Sequence, residues 1–216
     1  MSEVFFKPYI GKHYLDKGYL GKKLLILGES HYCGGCDKCG DLQNFDDGCR
    51  EFTKTVVNDY LSYKKGEINH ANWMRTFTVF TNVLLGKQVE PETVIDFWDS
   101  IMFYNYVQDA SIDAPRIPRE EEVFVNSETA FYEVLNEFQP DLIIVWGANL
   151  EGKLPQKNKT LSDFEIFNEP GHRFHYYDVV GKKIPAYAIF HPSTSRFSYH
   201  FHDFLKEALR LAGFDI

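Results

Sequence analysis

Apolar residues occur along the chain in short runs, and most of these runs end in a glycine or a polar cluster. Residues 22–28 (KKLLILG) and 141–147 (DLIIVWG) are typical of strands buried on both faces of a parallel sheet. Residues 101–107 (IMFYNYV) also predict a strand, and residues 173–178 and 184–190 predict a final pair of strands. Polar side chains are therefore expected to gather where these strands end.

Between the strands, apolar residues recur at spacings of three and four, which predicts amphipathic helices. In SETAFYEVLNEF, for example, Phe131, Val134 and Phe138 fall on one face, and Pro140 follows the predicted end. Helices are predicted from Asp46 or Asp47 to about Leu61, from Asn72 to Leu85, from Pro91 to Asp99, from Ser127 to Phe138 and from Tyr199 to Leu211. The alternation of strands and helices predicts an α/β fold.

The composition favours a single globular unit. The chain has 216 residues, of which 44% are hydrophobic, and it contains no repeat or low-complexity linker, so we predict one domain over residues 1–216. Its net charge of −8 excludes a globally basic protein that coats nucleic acid, and any polyanion must bind through a local patch. No run approaches the roughly 20 apolar residues of a membrane span. We expect a monomeric, cytoplasmic protein that does not contact membranes.

Polar residues follow three of the predicted strands, in residues 24–32 (LLILGESHY), 143–150 (IIVWGANL) and 188–196 (AIFHPSTSR). In an open α/β sheet such strand ends converge on one crevice. The residues expected to line it are Glu29, Ser30, His31, Asn149, His191, Ser193 and Arg196. The alternative is that each is an ordinary loop or cap residue.

These segments resemble, in order, the motifs of the uracil-DNA glycosylase superfamily. GESHY stands where branches of that family have GQDPYH, GEGPG or GEAPG, and HPSTS stands where they have a final HPS-like motif. Between them, VWGANL resembles the family's LLWG segment, and FYNYV resembles the LLLN segment that carries a base-reading Asn. The resemblance extends from about Lys22 to the C-terminus. It implies a three-layer α/β/α sandwich around a central, mostly parallel sheet.

The resemblance also implies a base-binding site. The substrate-binding residues predicted from it and from their neighbours are Gly28, His31, Tyr32, Asn105, Tyr106, Ser193 and Arg196. The amide of Asn105 can donate and accept together, which suits a carbonyl beside a ring N–H of uracil, whereas cytosine presents the reverse pattern. The ring of Tyr32 would exclude the thymine methyl group. Ser193 and Arg196 are expected near a phosphate of the flipped nucleotide.

Cleavage of the N-glycosidic bond of a flipped base is the reaction that the resemblance implies. Ser30 replaces the water-activating Asp of the GQDPYH branch, and Glu29 falls on the Glu of the other two branches. The predicted catalytic residues are Glu29, Ser30 and His191, with His191 binding the leaving base. The expected function is repair of DNA that contains uracil or a related damaged base. The alternative is a non-catalytic module that binds nucleic acid or a nucleotide.

The four cysteines lie close together in the sequence, as CGGCDKCGDLQNFDDGC. This spacing predicts a closed zinc site with Cys33, Cys36, Cys39 and Cys49 as ligands. An iron-sulfur cluster is an alternative, although no proline follows Cys49 as in ferredoxin motifs. Free thiols with no cofactor are the other alternative.

Overall fold

The computed structural model describes residues 2–33, 47–110 and 119–216. Within this part of the chain, seven strands form one sheet in the order β1-β3-β2-β4-β7-β6-β5. The strands are β1 (Tyr9–Ile10), β2 (Leu24–Gly28), β3 (Met102–Asn105), β4 (Leu142–Trp146), β5 (Lys159–Leu161), β6 (Phe174–Val179) and β7 (Lys182–Ile189). The five predicted strands are therefore confirmed, and β1 and β5 are additional.

The centre of the sheet is parallel and its edges are antiparallel. Strands β3, β2, β4 and β7 pair in parallel, whereas β1, β6 and β5 pair in antiparallel fashion with their neighbours. Val180 and Gly181 alone connect β6 to β7, with φ values of 50° and 77°. A two-residue turn of this kind joins antiparallel strands only. The expectation of a mostly parallel sheet thus holds for the four central strands.

Helices pack against both faces of the sheet. The helices are α1 (Asp47–Arg50), α2 (Phe52–Lys64), α3 (Met74–Leu84), α4 (Pro91–Asp99), α5 (Glu121–Asn126), α6 (Glu128–Phe138), α7 (Ala148–Lys153) and α8 (Phe201–Leu211), with a short 3₁₀ turn at Ile166–Asn168. In the described ranges no helix combines the length and apolar character that crossing a membrane requires.

The alternation of side chains along the strands divides the core into two hydrophobic clusters. Leu24 and Ile26 of β2 pack with α2, α3, α4 and α8, whereas Leu25 and Leu27 pack with α5, α6 and α7 on the opposite face. All four side chains are fully buried. Burial of each side chain contributes roughly 1.5–3 kcal/mol to the stability of the folded protein. Because helices cover both faces of the sheet, a strand without polar side chains is stable at this position.

Several element boundaries differ from the predictions. The helix expected from Asp46 or Asp47 to Leu61 is interrupted at Glu51 and continues to Lys64. Ser127 precedes α6 but does not cap it, because its hydroxyl donates to the Val123 carbonyl. The helices α5 and α7, with six residues each, were not predicted, since they are too short to display a helical periodicity.

Candidate functional site

The topology of the sheet predicts a crevice between the carboxyl ends of β2 and β4. The helices α2, α3 and α4, which lie between β2 and β3 in the chain, pack on one face of the sheet. The helix α7, which follows β4, packs on the other face. Two adjacent parallel strands whose continuations leave in opposite directions form a topological switch point, where α/β proteins bind ligands. The residues that directly follow β2 and β4 include Glu29 and Asn149.

Glu29 and Asn149 are in contact at this crevice. The Asn149 side-chain amide donates a hydrogen bond to the Glu29 carboxylate, with 3.2 Å between Nδ2 and Oε2. Asn149 lies in the first turn of α7, and the next residue, Leu150, is fully buried. Glu151 of the same helix pairs with Lys159 at 2.9 Å, and the Lys159 side chain is only 7% exposed. The buried Leu150 side chain and the Glu151–Lys159 ion pair hold α7 in place and therefore fix the position of Asn149.

His191 lies beside the start of α7. A Cβ atom at Gly147 would be 3.7 Å from the Cβ atom of His191, so the two backbones approach closely. The imidazole Nδ1 accepts a hydrogen bond from the Ser193 backbone N–H at 3.2 Å and lies 2.8 Å from the Ser193 hydroxyl. Burial lowers the pKa of His191, which favours the neutral ring. Because Nδ1 is an acceptor, the proton of the neutral ring is on Nε2, where it can be donated to a ligand.

Asn105, the predicted base-reading residue, ends β3 and lies next to Gly28 of β2. A Cβ atom at Gly28 would be 2.2 Å from Oδ1 of Asn105 and 3.1 Å from the ring of Phe103. Gly28 is therefore required because the Asn105 amide occupies the space of a side chain. Asn105 is 7% exposed, so its amide is almost completely removed from solvent.

His31 is a core residue in contact with Asn105. Its ring packs against Phe6 and Phe52, with centroid distances of 4.7 and 4.8 Å, and is 3% exposed. Nε2 is 2.9 Å from the Thr53 hydroxyl, and Nδ2 of Asn105 is 3.2 Å from Nδ1 and 3.3 Å from Nε2. Burial lowers the pKa of His31 to about 3, so the ring is neutral at pH 7. The structure therefore does not bring His31 to the open crevice, where the sequence predicted it.

The other predicted site residues have different environments. Tyr106 is buried among residues that pack with α6, and its hydroxyl donates to the Phe124 carbonyl at 2.9 Å, so it does not line the crevice. The Ser30 hydroxyl is buried and has no hydrogen-bond partner among the described residues.

Two other predicted site residues, Tyr32 and Arg196, are exposed. The guanidinium group of Arg196 lies over the ring of Phe190, at 5.6 Å from the ring centroid.

Thr53 is a site residue that the sequence reasoning missed. It lies on the buried side of α2 together with Val57, Tyr60 and Leu61. A threonine in an otherwise apolar helical stripe indicates a buried polar partner, because an unpaired buried hydroxyl is costly. This signal could have identified Thr53, although not its partner His31.

The cysteine cluster falls largely outside the described residues. Cys36 and Cys39 are not in the described ranges, whereas Cys33 follows Tyr32 and Cys49 lies in α1. Among the described residues no group of three or more His, Cys, Asp or Glu side chains is arranged to hold a metal ion. The four-cysteine zinc site therefore stays a prediction.

Comparisons with known proteins do not assign the chain to a family. No family model matches the sequence, and the search of curated proteins found no match. A functional assignment for this protein consequently depends on the motif resemblance and on the geometry of the crevice.

Replacing Gly28 with alanine should destabilise the protein by about 1–3 kcal/mol, because the new methyl group would overlap the Asn105 amide. Gly152→Ala is the matched control, since Gly152 lies in α7 with open space around its Cβ position. That variant should be neutral or up to about 1 kcal/mol more stable. Urea denaturation of both variants measures the difference, and equal free energies of unfolding would contradict the close approach of Gly28 and Asn105.

His191 should make stability depend on pH. Because burial lowers its pKa in the folded protein, the unfolded chain binds a proton first as the pH falls below the ordinary value of about 6.5. Stability is therefore complete above that pH and is lost below it. Between pH 7.5 and 5.5 the wild type should lose more stability than His191→Gln, by less than the ~1.4 kcal/mol per pH unit of one fully linked proton. Denaturant titrations at the two pH values test this, and equal losses would contradict it.

Metal analysis tests the cysteine prediction. Purified protein should contain one zinc ion per chain, and Cys49→Ser should lower the zinc content because a closed tetrahedral site would lose one of its four ligands. Elemental analysis after dialysis gives the stoichiometry. Iron with visible absorption would support the iron-sulfur alternative, and protein with neither metal would contradict the zinc prediction.

Proposed function

We propose that the protein has a uracil-DNA glycosylase-like fold, binds a flipped uracil-type base in the crevice between β2 and β4, and hydrolyses its N-glycosidic bond in DNA. The observation that carries this proposal is the convergence of Glu29, Asn149 and His191, which come from three separate motif segments, around the start of α7. A helix-covered sheet with parallel central strands is compatible with the proposal.

The charges that develop during the reaction match the groups present. Breaking the bond leaves positive charge on the sugar and negative charge on the departing base. The carboxylate of Glu29, held by Asn149, stabilises the sugar cation and orients the attacking water. The neutral His191 donates its Nε2 proton in a hydrogen bond to an oxygen of the leaving base. A neutral donor suits this role because it stabilises the oxyanion without first having to be protonated.

Recognition of the base is assigned to Asn105. Its amide lies where the missing side chain of Gly28 leaves space, at the same sheet edge as Glu29. An amide that accepts from a ring N–H and donates to the adjacent carbonyl selects the edge of uracil over that of cytosine. The contact to a phosphate is assigned to Arg196, which is exposed, follows His191 on the same loop and pairs with no carboxylate in the described part of the chain.

A binding module without activity is the second candidate. The observation that favours it is Ser30, which occupies the position of the water-activating Asp in the GQDPYH branch and whose hydroxyl is buried. Such a module would bind a uracil-containing oligonucleotide without releasing the base. Its affinity would fall with salt, since phosphate contacts release counterions.

Excision is tested with a labelled single-stranded oligonucleotide that contains one uracil. Stoichiometric enzyme should produce an alkali-labile site, and Glu29→Gln or His191→Ala should lower the single-turnover rate about 100- to 10,000-fold, because each variant removes a group that stabilises charge in the transition state. Glu137→Gln is the matched control, because Glu137 is exposed on α6 on the far side of the helix from the core. Its rate should equal that of the wild type.

The possible results of this experiment distinguish the glycosylase from the binding module. Absence of product with wild-type protein removes the glycosylase proposal. If no product forms, oligonucleotide binding that is weaker at 200 mM salt than at 50 mM salt supports the module. A module with six phosphate contacts would lose roughly 10³-fold in affinity between these salt concentrations, and fewer contacts would give a smaller loss. An unchanged rate in Glu29→Gln would remove Glu29 from the mechanism.

A further inference from the structure

An aromatic ring and a cation lie against each other beside His191. Phe190 follows β7 directly, and its side chain is 37% exposed. The guanidinium group of Arg196 lies over that ring, at 5.6 Å from the ring centroid. We call Phe190 and Arg196 the stacking platform. Because both side chains are exposed, a further planar group can reach the platform from solvent.

Buried aromatic rings hold the stacking platform in place. The Phe190 ring contacts Phe201 of α8 edge to face, with 5.5 Å between the centroids, and Phe201 is 6% exposed. Phe197, the residue after the arginine, is buried and contacts the same Phe201 ring at 5.4 Å. The backbone between these rings forms turns, since the Thr194 N–H donates to the His191 carbonyl and the Phe197 N–H donates to the Thr194 carbonyl. The platform is therefore preorganised, which lowers the entropy lost when a ligand binds.

The residues around the platform favour an anionic ligand. No Asp or Glu occurs between Ile189 and Asp203, although the whole chain contains 31 of these residues. In the described part of the chain, Arg196 pairs with no carboxylate, and the hydroxyl-bearing residues 193–195 are exposed. A guanidinium group without a carboxylate partner, close to hydroxyl groups, suits the oxygens of a phosphate. The ligand that matches this surface combines a planar ring with a phosphate, as a nucleotide does.

We propose that Phe190 and Arg196 bind an unpaired nucleobase next to the flipped base, so that the protein binds single-stranded nucleic acid in preference to a duplex. This inference deepens the proposed function and rests on it, because the strand is placed beside His191. Within a duplex both faces of a base are covered by neighbouring bases, whereas an unpaired base can turn one face to an aromatic ring or a guanidinium group. Every base has such a face, so this contact does not depend on sequence.

The strand preference is measured by fluorescence anisotropy with one labelled DNA oligonucleotide of mixed sequence, either single-stranded or annealed to its complement. The oligonucleotide contains no uracil, so binding is separated from excision and wild-type protein can be used. The single strand should bind about tenfold or more tightly than the duplex, which is the scale of one base–aromatic stack.

Phe190→Leu tests the aromatic ring. Leucine keeps an apolar contact with Phe201 but has no aromatic face. The affinity for the single strand should therefore fall about fivefold or more, while the affinity for the duplex stays within about twofold of wild type. Trp73→Leu is the matched control, because Trp73 is also an exposed aromatic residue and precedes α3, whose opposite end contacts His202 of α8. Its affinities should equal those of the wild type.

Arg196→Lys tests the guanidinium group. Lysine keeps the positive charge but is not planar, so it retains the attraction to phosphate and loses the stack. The affinity for the single strand should fall about threefold or more, while the slope of log affinity against log salt concentration stays unchanged. Arg196→Gln also removes the charge and should reduce that slope by about one phosphate contact.

The results distinguish this inference from the proposed function. Equal binding of the two forms, no binding of either form, or a strand preference that Phe190→Leu leaves unchanged would overturn the role of the platform, whether or not uracil is excised. A preference that is lost in Phe190→Leu supports it even when no base is released. Should urea denaturation show that Phe190→Leu is unstable, Arg196→Lys decides, and an unchanged strand preference in that variant would overturn the inference.

Discussion

Parallel pairing of the four central strands is the constraint on which the candidate site depends. Because β3, β2, β4 and β7 run in the same direction, their carboxyl ends lie along one edge, and the segments after them are brought together although they are far apart in sequence. The Glu29–Asn149 contact joins residues 120 positions apart. The close approach of Gly147 and His191 extends the same edge toward β7. An antiparallel arrangement would have separated these groups by the length of a strand.

Polar groups inside the core are tolerated at this edge because they satisfy one another. His31, Thr53 and Asn105 are each less than a tenth exposed, and leaving any one of them unpaired would cost about 1–3 kcal/mol. Their mutual hydrogen bonds offset that cost. Gly28 contributes by having no side chain, since even a methyl group would displace the amide. The stability of this part of the core therefore depends on a few polar contacts.

The segments after β2 and β7 carry groups of different electrostatic character. Glu29 supplies a carboxylate near solvent, and burial lowers the pKa of His191 so that its ring is a neutral donor. Such a separation suits a reaction in which opposite charges develop on the two sides of one bond. The exposed Arg196, which follows on the His191 loop, adds a local positive charge to a chain whose net charge is −8.

The sequence by itself determined the elements that have a strong periodic or buried pattern. It predicted β2, β4 and α6 nearly to the residue, because an apolar run or a helical stripe of sufficient length can be buried in few ways. It also predicted that Glu29 and His191 follow strands, since their motifs lie directly after apolar runs, and that Asn105 lies in a strand. It did not predict that His31 and Tyr106 are core residues or that Thr53 contacts His31. Those facts depend on which helix packs on which face of the sheet. Only the tertiary structure decides this, because a local sequence pattern indicates that a segment is buried but not which distant segment packs against it.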